Sequence, residues 1–179
     1  MKLSRILIAF VLGLVCLLGI GFVLGGVLIP AEKSFTQETE IDASAETVWK
    51  VLTEREKYTE WQDKLSAVKI IDENRWVEIV KDVGPIDFYF VRKEKPKTLE
   101  IKYATPSGVD GQWLGEIKPV SYGRTVITTT DKSIVKSWIA KIFMSMFFDI
   151  EEFAKDWNQK LKARAESLEK GSSKGKENQ

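Results

Sequence analysis

Hydrophobic and polar positions follow three different patterns along the chain. Residues 6–29 form a run of 24 residues without a charged side chain. Between residues 75 and 128, short runs of β-branched and aromatic residues alternate in part with polar residues, and from Val135 onward apolar residues recur every three or four positions. A period of two indicates strands, and a period near 3.6 indicates a helix. These patterns predict an apolar N-terminal helix, a central sheet and a long C-terminal helix.

The apolar N-terminal run is predicted to be an uncleaved transmembrane anchor, which takes up residues 1–31. As a helix, residues 6–29 would span about 36 Å, slightly more than a hydrocarbon core of about 30 Å. A cleaved signal peptide is the alternative, but its apolar region has about 7 to 15 residues and ends at small residues. The run here is longer and ends in the residues LIPA. The lipid bilayer is therefore an expected partner of residues 6–29.

The basic residues around this run predict its orientation. Lys2 and Arg5 precede it, and only Lys33 follows within the next 15 residues. Because lysine and arginine are enriched on the cytoplasmic side of a span, we expect a single-pass membrane protein with a cytoplasmic N-terminus. Its globular domain would lie on the periplasmic or extracellular side. Gly21 and Gly25 form a small-xxx-small pair, which favours weak self-association because two helices can approach closely there.

Residues 32–168 are predicted to form one α+β domain, followed by a disordered tail over residues 169–179, which lack any apolar residue. After a first strand, a helix begins at Asp42 or Ser44, both good N-cap residues, and is followed by a short helical turn. Frequent turn signals then separate short strands, which must be antiparallel because their connections are short. We therefore expect an antiparallel meander between the first helix and the last.

The best example of alternation is the strand around residues 99–103. Leu99, Ile101 and Tyr103 alternate with Glu100 and Lys102, which predicts one buried face and one face in water.

One continuous apolar stripe predicts a single long C-terminal helix. Its positions are separated by three or four residues: Trp138, Ile142, Met146, Ile150, Phe153, Trp157 and Leu161. The stripe widens over residues 138–150, where further apolar residues occupy neighbouring faces. Two interpretations of this wide face remain open: a deep core or partner contact, or the mouth of an apolar cavity that touches ligand or bilayer.

Composition excludes several kinds of chemistry. The 179 residues include no His and one Cys, so a Ser-His-Asp or Cys-His nucleophile system and a zinc site with His ligands are excluded. The 27 basic and 26 acidic side chains are interspersed, which makes nucleic acid an unexpected partner. No metal site, phosphate-binding loop or cofactor site is predicted, because no motif for one is present.

Several segments together resemble the START-like, or SRPBCC, superfamily, and within it the polyketide cyclase/dehydrase and lipid-transport group. They are IDASAETVW at 41–49, YTEW at 58–61, RWVE at 75–78, and GQW at 111–113 with Pro119. The resemblance implies a helix-grip (START/Bet v 1-like) fold, in which a curved antiparallel sheet surrounds a long C-terminal helix and encloses a hydrophobic ligand cavity. Members bind lipids, quinones, hormones or polyketides, and only a minority are enzymes. The anchor lies outside the resemblance.

The predicted function is that of a membrane-tethered binding or carrier protein for a hydrophobic small molecule, such as a lipid, isoprenoid or polyketide-like compound. Two alternatives remain open: a protein-interaction module that uses residues 138–150, and a cyclase or dehydrase. The residues predicted to line the cavity are mostly aromatic: Trp61, Trp76, Glu78, Phe88, Phe90, Ile101, Tyr103, Trp113, Trp138, Ile142, Phe143 and Met146.

If the protein is an enzyme, the candidate proton carriers are Glu78, Asp110 and Tyr103. Glu78 alternates with Trp76 and shares its face of the sheet. A buried, unpaired Glu78 would have a raised pKa, whereas an ion pair with a nearby basic residue would keep it ionised.

Overall fold

The computed structural model describes residues 2–147 and 149–177, without the side chains of 2–6, 9, 18, 24, 25, 27, 143, 147 and 173–177. In these residues the helices are α1 (Lys2–Leu28), α2 (Ala45–Thr53), a 3₁₀ helix (Arg55–Glu60), α3 (Trp138–Phe147) and α4 (Ile150–Glu177). The strands are β1 (Glu32–Ile41), β2 (Leu65–Ile70), β3 (Arg75–Val80), β4 (Gly84–Glu94), β5 (Thr98–Ala104), β6 (Val109–Ser121) and β7 (Arg124–Val135).

The strands form one curved antiparallel sheet in the order β1-β7-β6-β5-β4-β3-β2. Only the pairing of β1 with β7 joins strands that are distant in sequence, because β2 to β7 form a meander. The predicted α+β class and the antiparallel meander are confirmed. On β5, Leu99 and Ile101 are buried and Lys102 is exposed, as the alternation predicts.

Helix α2 begins where its N-cap chemistry predicts. Ser44 is the N-cap, and its Oγ accepts a hydrogen bond of 3.3 Å from the backbone N–H of Thr47. Its buried residues pack with those of α4 and the sheet in one hydrophobic core, which includes Ile41, Val48, Leu52, Trp76, Leu99, Ile127, Leu161 and Ala165. The core fixes α2 and the middle of α4 against the β1 and β7 side of the sheet.

Polar contacts also hold α4 on the sheet. The Nδ2 of Asn158 donates a hydrogen bond of 2.8 Å to Oγ1 of Thr129 on β7, and Nε2 of Gln37 on β1 donates one of 2.9 Å to the carbonyl of Ala154. Asn158 and Thr129 are both buried, so each satisfies a polar group that would otherwise lack a partner in the core.

The C-terminal helix differs from its prediction at both ends. The apolar stripe is divided between α3 and α4, because Asp149 caps a new helix: its Oδ1 accepts hydrogen bonds from the backbone N–H groups of Glu151 and Glu152. At the other end α4 continues to Glu177, through residues predicted to be disordered. Glu169, the first residue of that segment, accepts a hydrogen bond of 3.0 Å from Ser44 Oγ and so ties α4 to α2.

Helix α1 packs against α3 near its C-terminal end. The rings of Phe22 and Trp138 meet edge to face with centroids 5.5 Å apart. Gly26 is buried, and a Cβ at this position would lie 3.1 Å from the Trp138 ring and 3.2 Å from Ile142. The close contact therefore uses Gly26, whereas the Cβ position of Gly21 has no neighbour within 4 Å. Nothing in the described part of α1 supports the predicted self-association through Gly21 and Gly25.

The predicted membrane topology requires a correction. Among the described residues, no helix combines the length and the apolar character needed to cross a membrane. On this finding, the predicted localisation as a single-pass membrane protein with its domain outside the cytoplasm is wrong. The anchor over residues 1–31 and the bilayer contact of residues 6–29 are not supported. Near its C-terminal end α1 contacts α3 through Phe22 and Gly26, while most of its other described apolar side chains are exposed.

Candidate functional site

The inner face of the sheet, which faces α4 and the 3₁₀ helix, carries most of the predicted site residues. Trp76 stacks on Phe88 with ring centroids 5.3 Å apart and lies 4.7 Å from Phe90. The ring centroids of Phe88 and Tyr103 are 5.7 Å apart. The strand register explains this row, since Trp76 on β3, Phe88 on β4 and Tyr103 on β5 are cross-strand partners. The sheet therefore brings together side chains from three strands into one aromatic surface.

A second group of aromatic residues joins α4 and the 3₁₀ helix to strand β6. Trp157 on α4 contacts Trp61 with ring centroids 5.4 Å apart and Trp113 on β6 at 5.7 Å. Tyr58 of the 3₁₀ helix lies 5.4 Å from Trp61. The predicted site residues Trp61 and Trp113 are thus joined through Trp157, which is predicted only as part of the apolar stripe. Its position on the same face as Phe153 and Leu161 is the signal that could have identified it.

The aromatic residues on this inner face remain partly exposed. Six of them have intermediate exposure rather than full burial: Trp61, Phe88, Phe90, Tyr103, Trp113 and Trp157. Trp76 and Ile101, by contrast, are buried. Most of these rings pack against the hydrophobic core and keep part of their apolar surface uncovered.

Glu78 is buried on the same face, next to Trp76. It accepts a hydrogen bond of 2.8 Å from the indole Nε1 of Trp76, and no ion pair to it occurs among the described residues. Burial raises the pKa of Glu78 to about 7, although the Trp76 hydrogen bond acts in the opposite direction. Glu78 therefore follows the first of its two predicted alternatives. A carboxyl group with this pKa can donate or accept a proton near neutral pH.

Arg55 is a buried cation that is not among the predicted site residues. Its guanidinium carbon lies 5.0 Å from the centroid of Trp76 and 4.9 Å from that of Phe90, and its Nη2 donates a hydrogen bond of 3.0 Å to the carbonyl of Glu73. Its Nε has no hydrogen-bond partner among the described residues. Arg55 thus joins the 3₁₀ helix to the turn between β2 and β3 beside the aromatic surface. A single Arg in a short helical turn gives no sequence signal for such a position.

Tyr103 and Asp131 form a polar pair at the other side of the aromatic surface. The Tyr103 hydroxyl donates a hydrogen bond of 2.9 Å to Oδ1 of Asp131 on β7. Burial and the neighbouring Asp131 raise the pKa of Tyr103, and burial raises the pKa of Asp131 against the opposing effect of the hydrogen bond. Asp131 is not among the predicted site residues. Its alternation with the inward-facing Thr129 and Ser133 is the signal that could have placed it.

Two hollows are described, and both lie away from most of the predicted site. The larger, of about 670 Å³, lies between the start of β1 and the α3–α4 junction, where Phe35, Met146 and Ile150 contribute to its wall. The smaller, of about 380 Å³, lies beside α2 and Lys95. Among the predicted site residues whose side chains the structure describes, Met146 alone lines either hollow. Across the described residues, no group of three or more Cys, Asp or Glu side chains is placed to hold a metal ion.

The remaining predicted residues lie elsewhere. Trp138 and Ile142 contact Gly26 of α1 rather than the aromatic surface. The side chain of Phe143 lies outside the described residues. Asp110 is partly exposed and forms an ion pair with Lys136, unlike the buried Glu78. The inner-face residues and the α3 residues therefore do not form one site, because the stripe that was predicted to join them is broken at Asp149.

Comparison with known proteins is consistent with this architecture. A START superfamily protein from Mycobacterium smegmatis has a TM-score of 0.62 at 15% identity, with 75% of this chain and 98% of that chain covered. The Zhui aromatase/cyclase from Streptomyces sp. R1128 has a TM-score of 0.64 at 15% identity, with coverage of 75% and 94%. Norcoclaurine synthase from Thalictrum flavum, in complex with dopamine and hydroxybenzaldehyde, has a TM-score of 0.60 at 13% identity, with coverage of 78% and 89%.

At 13–15% sequence identity, these structural similarities show a shared fold and nothing more. A comparison with curated protein sequences finds no match. A family model described as polyketide cyclase / dehydrase and lipid transport matches residues 32–168, which is most of the chain. The chain therefore belongs to the polyketide cyclase / dehydrase and lipid transport family, as its sequence resemblance indicates.

Proposed function

We propose that the protein binds one hydrophobic small molecule, such as a lipid, isoprenoid or polyketide-like compound, on the aromatic inner face of the sheet. The observation that carries the proposal is the partial exposure of six aromatic rings on a surface between the sheet and α4. Binding sites for small molecules are concave, mostly apolar and contain a few polar groups, and Glu78, Tyr103 and Asp131 supply such groups here.

The names of similar structures support a small-molecule ligand but not its class. The START superfamily protein and the aromatase/cyclase share the fold, and the norcoclaurine synthase structure holds dopamine and hydroxybenzaldehyde, two small aromatic molecules. Binding needs no covalent step, because burial of a ligand's apolar surface is favourable by about 25 cal/mol per Å².

Titration of the full chain with Nile red, a neutral apolar dye, tests the proposal. We expect saturable binding of one dye molecule per chain and a loss of affinity of about tenfold or more in Trp113→Ala. Trp138→Ala is the matched control, because Trp138 is also partly exposed but contacts α1 instead of the inner face. Equal effects of the two substitutions, or unsaturable binding, would contradict the proposed site.

A cyclase or dehydrase is the second candidate, and the buried Glu78 is the observation in its favour. A carboxyl group with a pKa of about 7 can transfer protons at neutral pH without a His. Incubation with a β-polyketone and mass spectrometry would detect dehydration as loss of one water per molecule. Glu78→Gln should abolish this loss of water, whereas Glu116→Gln, at an exposed position on β6, should not. A rate equal to that without protein would remove this candidate.

The protein-interaction hypothesis has the least support. It requires the apolar face of residues 138–150 to be free for a partner. Trp138 and Ile142 contact α1 of the same chain, which covers part of this face, whereas Ile139 and Met146 remain exposed.

A further inference from the structure

We propose that Tyr103 and Asp131 form a polar subsite that binds a hydrogen-bond donor of the ligand, such as a hydroxyl group, and that selects against anionic ligands. The inference rests on the proposed function, because it assumes that a small molecule binds on the inner face. It concerns the polar group of the ligand, which neither the family nor the aromatic surface identifies.

The pair depends on a glycine that lies between its two members. Gly111 on β6 is the cross-strand partner of Tyr103, and a Cβ at Gly111 would lie 2.1 Å from Cζ and 2.3 Å from Oη of Tyr103. Such distances are far below van der Waals contact, so only glycine leaves room for the ring. The ring thus lies across β6, and its hydroxyl reaches Asp131 on the next strand. The residue at position 111 therefore determines whether the pair can form.

Asp131 has hydrogen-bonding capacity that the described residues do not use. Oδ1 accepts the Tyr103 hydrogen bond, while Oδ2 has no hydrogen-bond partner and the carboxylate no ion pair in the described part of the chain. Asp131 is only half-buried, so Oδ2 stays accessible to water or to a hydrogen-bond donor of a ligand. An incompletely satisfied carboxylate on an apolar surface is the arrangement expected where a ligand supplies the missing donor.

Ser133 provides a second unsatisfied polar group close by. It occupies the next inward position of β7 after Asp131, and its cross-strand partner is the same Gly111. The Ser133 side chain is only 2% exposed, and its Oγ has no hydrogen-bond partner among the described residues. Unsatisfied hydroxyl groups are uncommon in protein interiors. The half-buried Asp131 carboxylate and the buried Ser133 hydroxyl, at successive inward positions of β7, indicate a polar region in an otherwise apolar face.

The larger hollow lies next to this region, with Phe35 between the hollow and Asp131. Asp131 is the cross-strand partner of Phe35 on β1, and both residues face inward. Directly opposite side chains in an antiparallel pair have Cβ atoms about 4.5–5.5 Å apart. Phe35 is also part of the wall of the larger hollow, of about 670 Å³. A ligand that enters between β1 and the α3–α4 junction would therefore meet Asp131 directly behind Phe35.

The chemistry of the pair determines which ligands it favours. Asp131 offers acceptor oxygens, and the Tyr103 oxygen, whose hydrogen is engaged with Asp131, offers a further acceptor. A hydroxyl or amine can donate to these atoms while its apolar part covers Phe88, which contacts Tyr103. A carboxylate would place two like charges together, which is unfavourable at a site with little water.

Three naphthalene derivatives of nearly equal apolar surface test the inference: 2-naphthol, 2-methoxynaphthalene and 2-naphthoate. Their affinities for the full chain would be measured near pH 7 by displacement of Nile red. We expect 2-naphthol to bind at least tenfold more tightly than each of the other two. Asp131→Asn replaces an acceptor by an amide donor, so it should remove the preference for 2-naphthol and improve 2-naphthoate binding at least tenfold.

The control is Asp110→Asn. It removes a carboxylate from the neighbouring strand β6, where Asp110 pairs with Lys136. This substitution should leave the three affinities in the same order. Equal wild-type affinities for 2-naphthol and 2-methoxynaphthalene would overturn the subsite and leave the proposed function standing. The wild-type comparison needs no variant, so it remains decisive if Asp131→Asn does not fold. If neither Nile red nor any naphthalene binds, the proposed function itself fails.

Discussion

The indole N–H of Trp76 donates a hydrogen bond of 2.8 Å to Oε1 of Glu78, the next inward-facing residue of the same strand. Both side chains are buried. Among the described residues, the neutral indole of Trp76 is the only hydrogen-bond partner of the Glu78 carboxyl group. Because this environment favours the neutral form, the pKa of Glu78 rises from 4.5 to about 7. The pair therefore makes the stability of the fold depend on pH.

The sign of this dependence follows from proton binding. Between about pH 4.5 and pH 7, Glu78 is ionised in the unfolded chain but protonated in the folded protein, so the unfolding free energy falls as the pH rises through this range. The full loss is on the order of 3 kcal/mol. Glu78→Gln cannot ionise, and its Oε1 can still accept the Trp76 hydrogen bond. We expect its stability relative to wild type to increase over this range, as measured by urea unfolding at a series of pH values.

Glu116→Gln is the control for this titration, because Glu116 is an exposed carboxylate on β6. It should leave the slope of the unfolding free energy against pH nearly unchanged. A wild-type slope that Glu78→Gln does not alter would show that Glu78 is ionised in the folded protein.

The Tyr103–Asp131 pair leads to a prediction for Gly111→Ala. The new Cβ would overlap the Tyr103 ring, so the ring must move and its hydrogen bond to Asp131 must break. We expect a loss of unfolding free energy of about 1–3 kcal/mol, measured by urea unfolding. Gly171→Ala is the control at a helical site without neighbours, where alanine should stabilise by about 0.5–1 kcal/mol.

A double-mutant cycle identifies the cause of that loss. In a Tyr103→Ala background the added methyl group has no ring to displace, so the cost of Gly111→Ala should become much smaller. An equal cost in both backgrounds would place the strain in the backbone of β6 instead.

Much of the sheet could be predicted because its strands alternate in a way that is visible in the sequence. Leu99 and Ile101 face inward as expected, and Ser44 caps α2 as its residue type suggests. β2 was missed, because its sequence LSAVKI alternates weakly and only its pairing with β3 fixes it as a strand. Local pattern thus identified strands with one clearly apolar face, and long-range pairing determined the rest.

The candidate site was predictable in part for the same reason. Trp76, Glu78 and Phe88 follow from alternation, whereas the partners that give Glu78 and Tyr103 their chemistry come from tertiary contacts. Asp131 lies 28 residues from Tyr103 in the sequence, and only the register of three strands brings them together. Trp138 and Ile142 were wrongly predicted to line the same site as the inner-face residues. The spacing of apolar residues is unchanged across Asp149, so the end of α3 cannot be detected from the periodicity.

Asn158 provides a test of how α4 is held on the sheet. Its Nδ2 donates to Thr129 Oγ1 at 2.8 Å, and both residues are buried. Asn158→Ala should lower the unfolding free energy by about 1–3 kcal/mol, because Thr129 loses its partner in the core. Gln159→Ala, at the next and exposed position of α4, should change it by less than about 0.5 kcal/mol. Similar losses in the two variants in urea unfolding would indicate that the Asn158 hydrogen bond contributes little.

The separation of α3 from α4 depends on Asp149, and a pair of substitutions tests this role. Its Oδ1 accepts hydrogen bonds of 2.9 Å and 3.1 Å from the backbone N–H groups of Glu151 and Glu152, which have no partners within the helix. Asp149→Ala should therefore lower the unfolding free energy by about 0.5–2 kcal/mol in urea unfolding. Asp149→Asn keeps an acceptor oxygen at the cap and should retain most of that stability. If alanine is as stable as asparagine, the helix break is set by the packing of α3 against α1 and not by the cap.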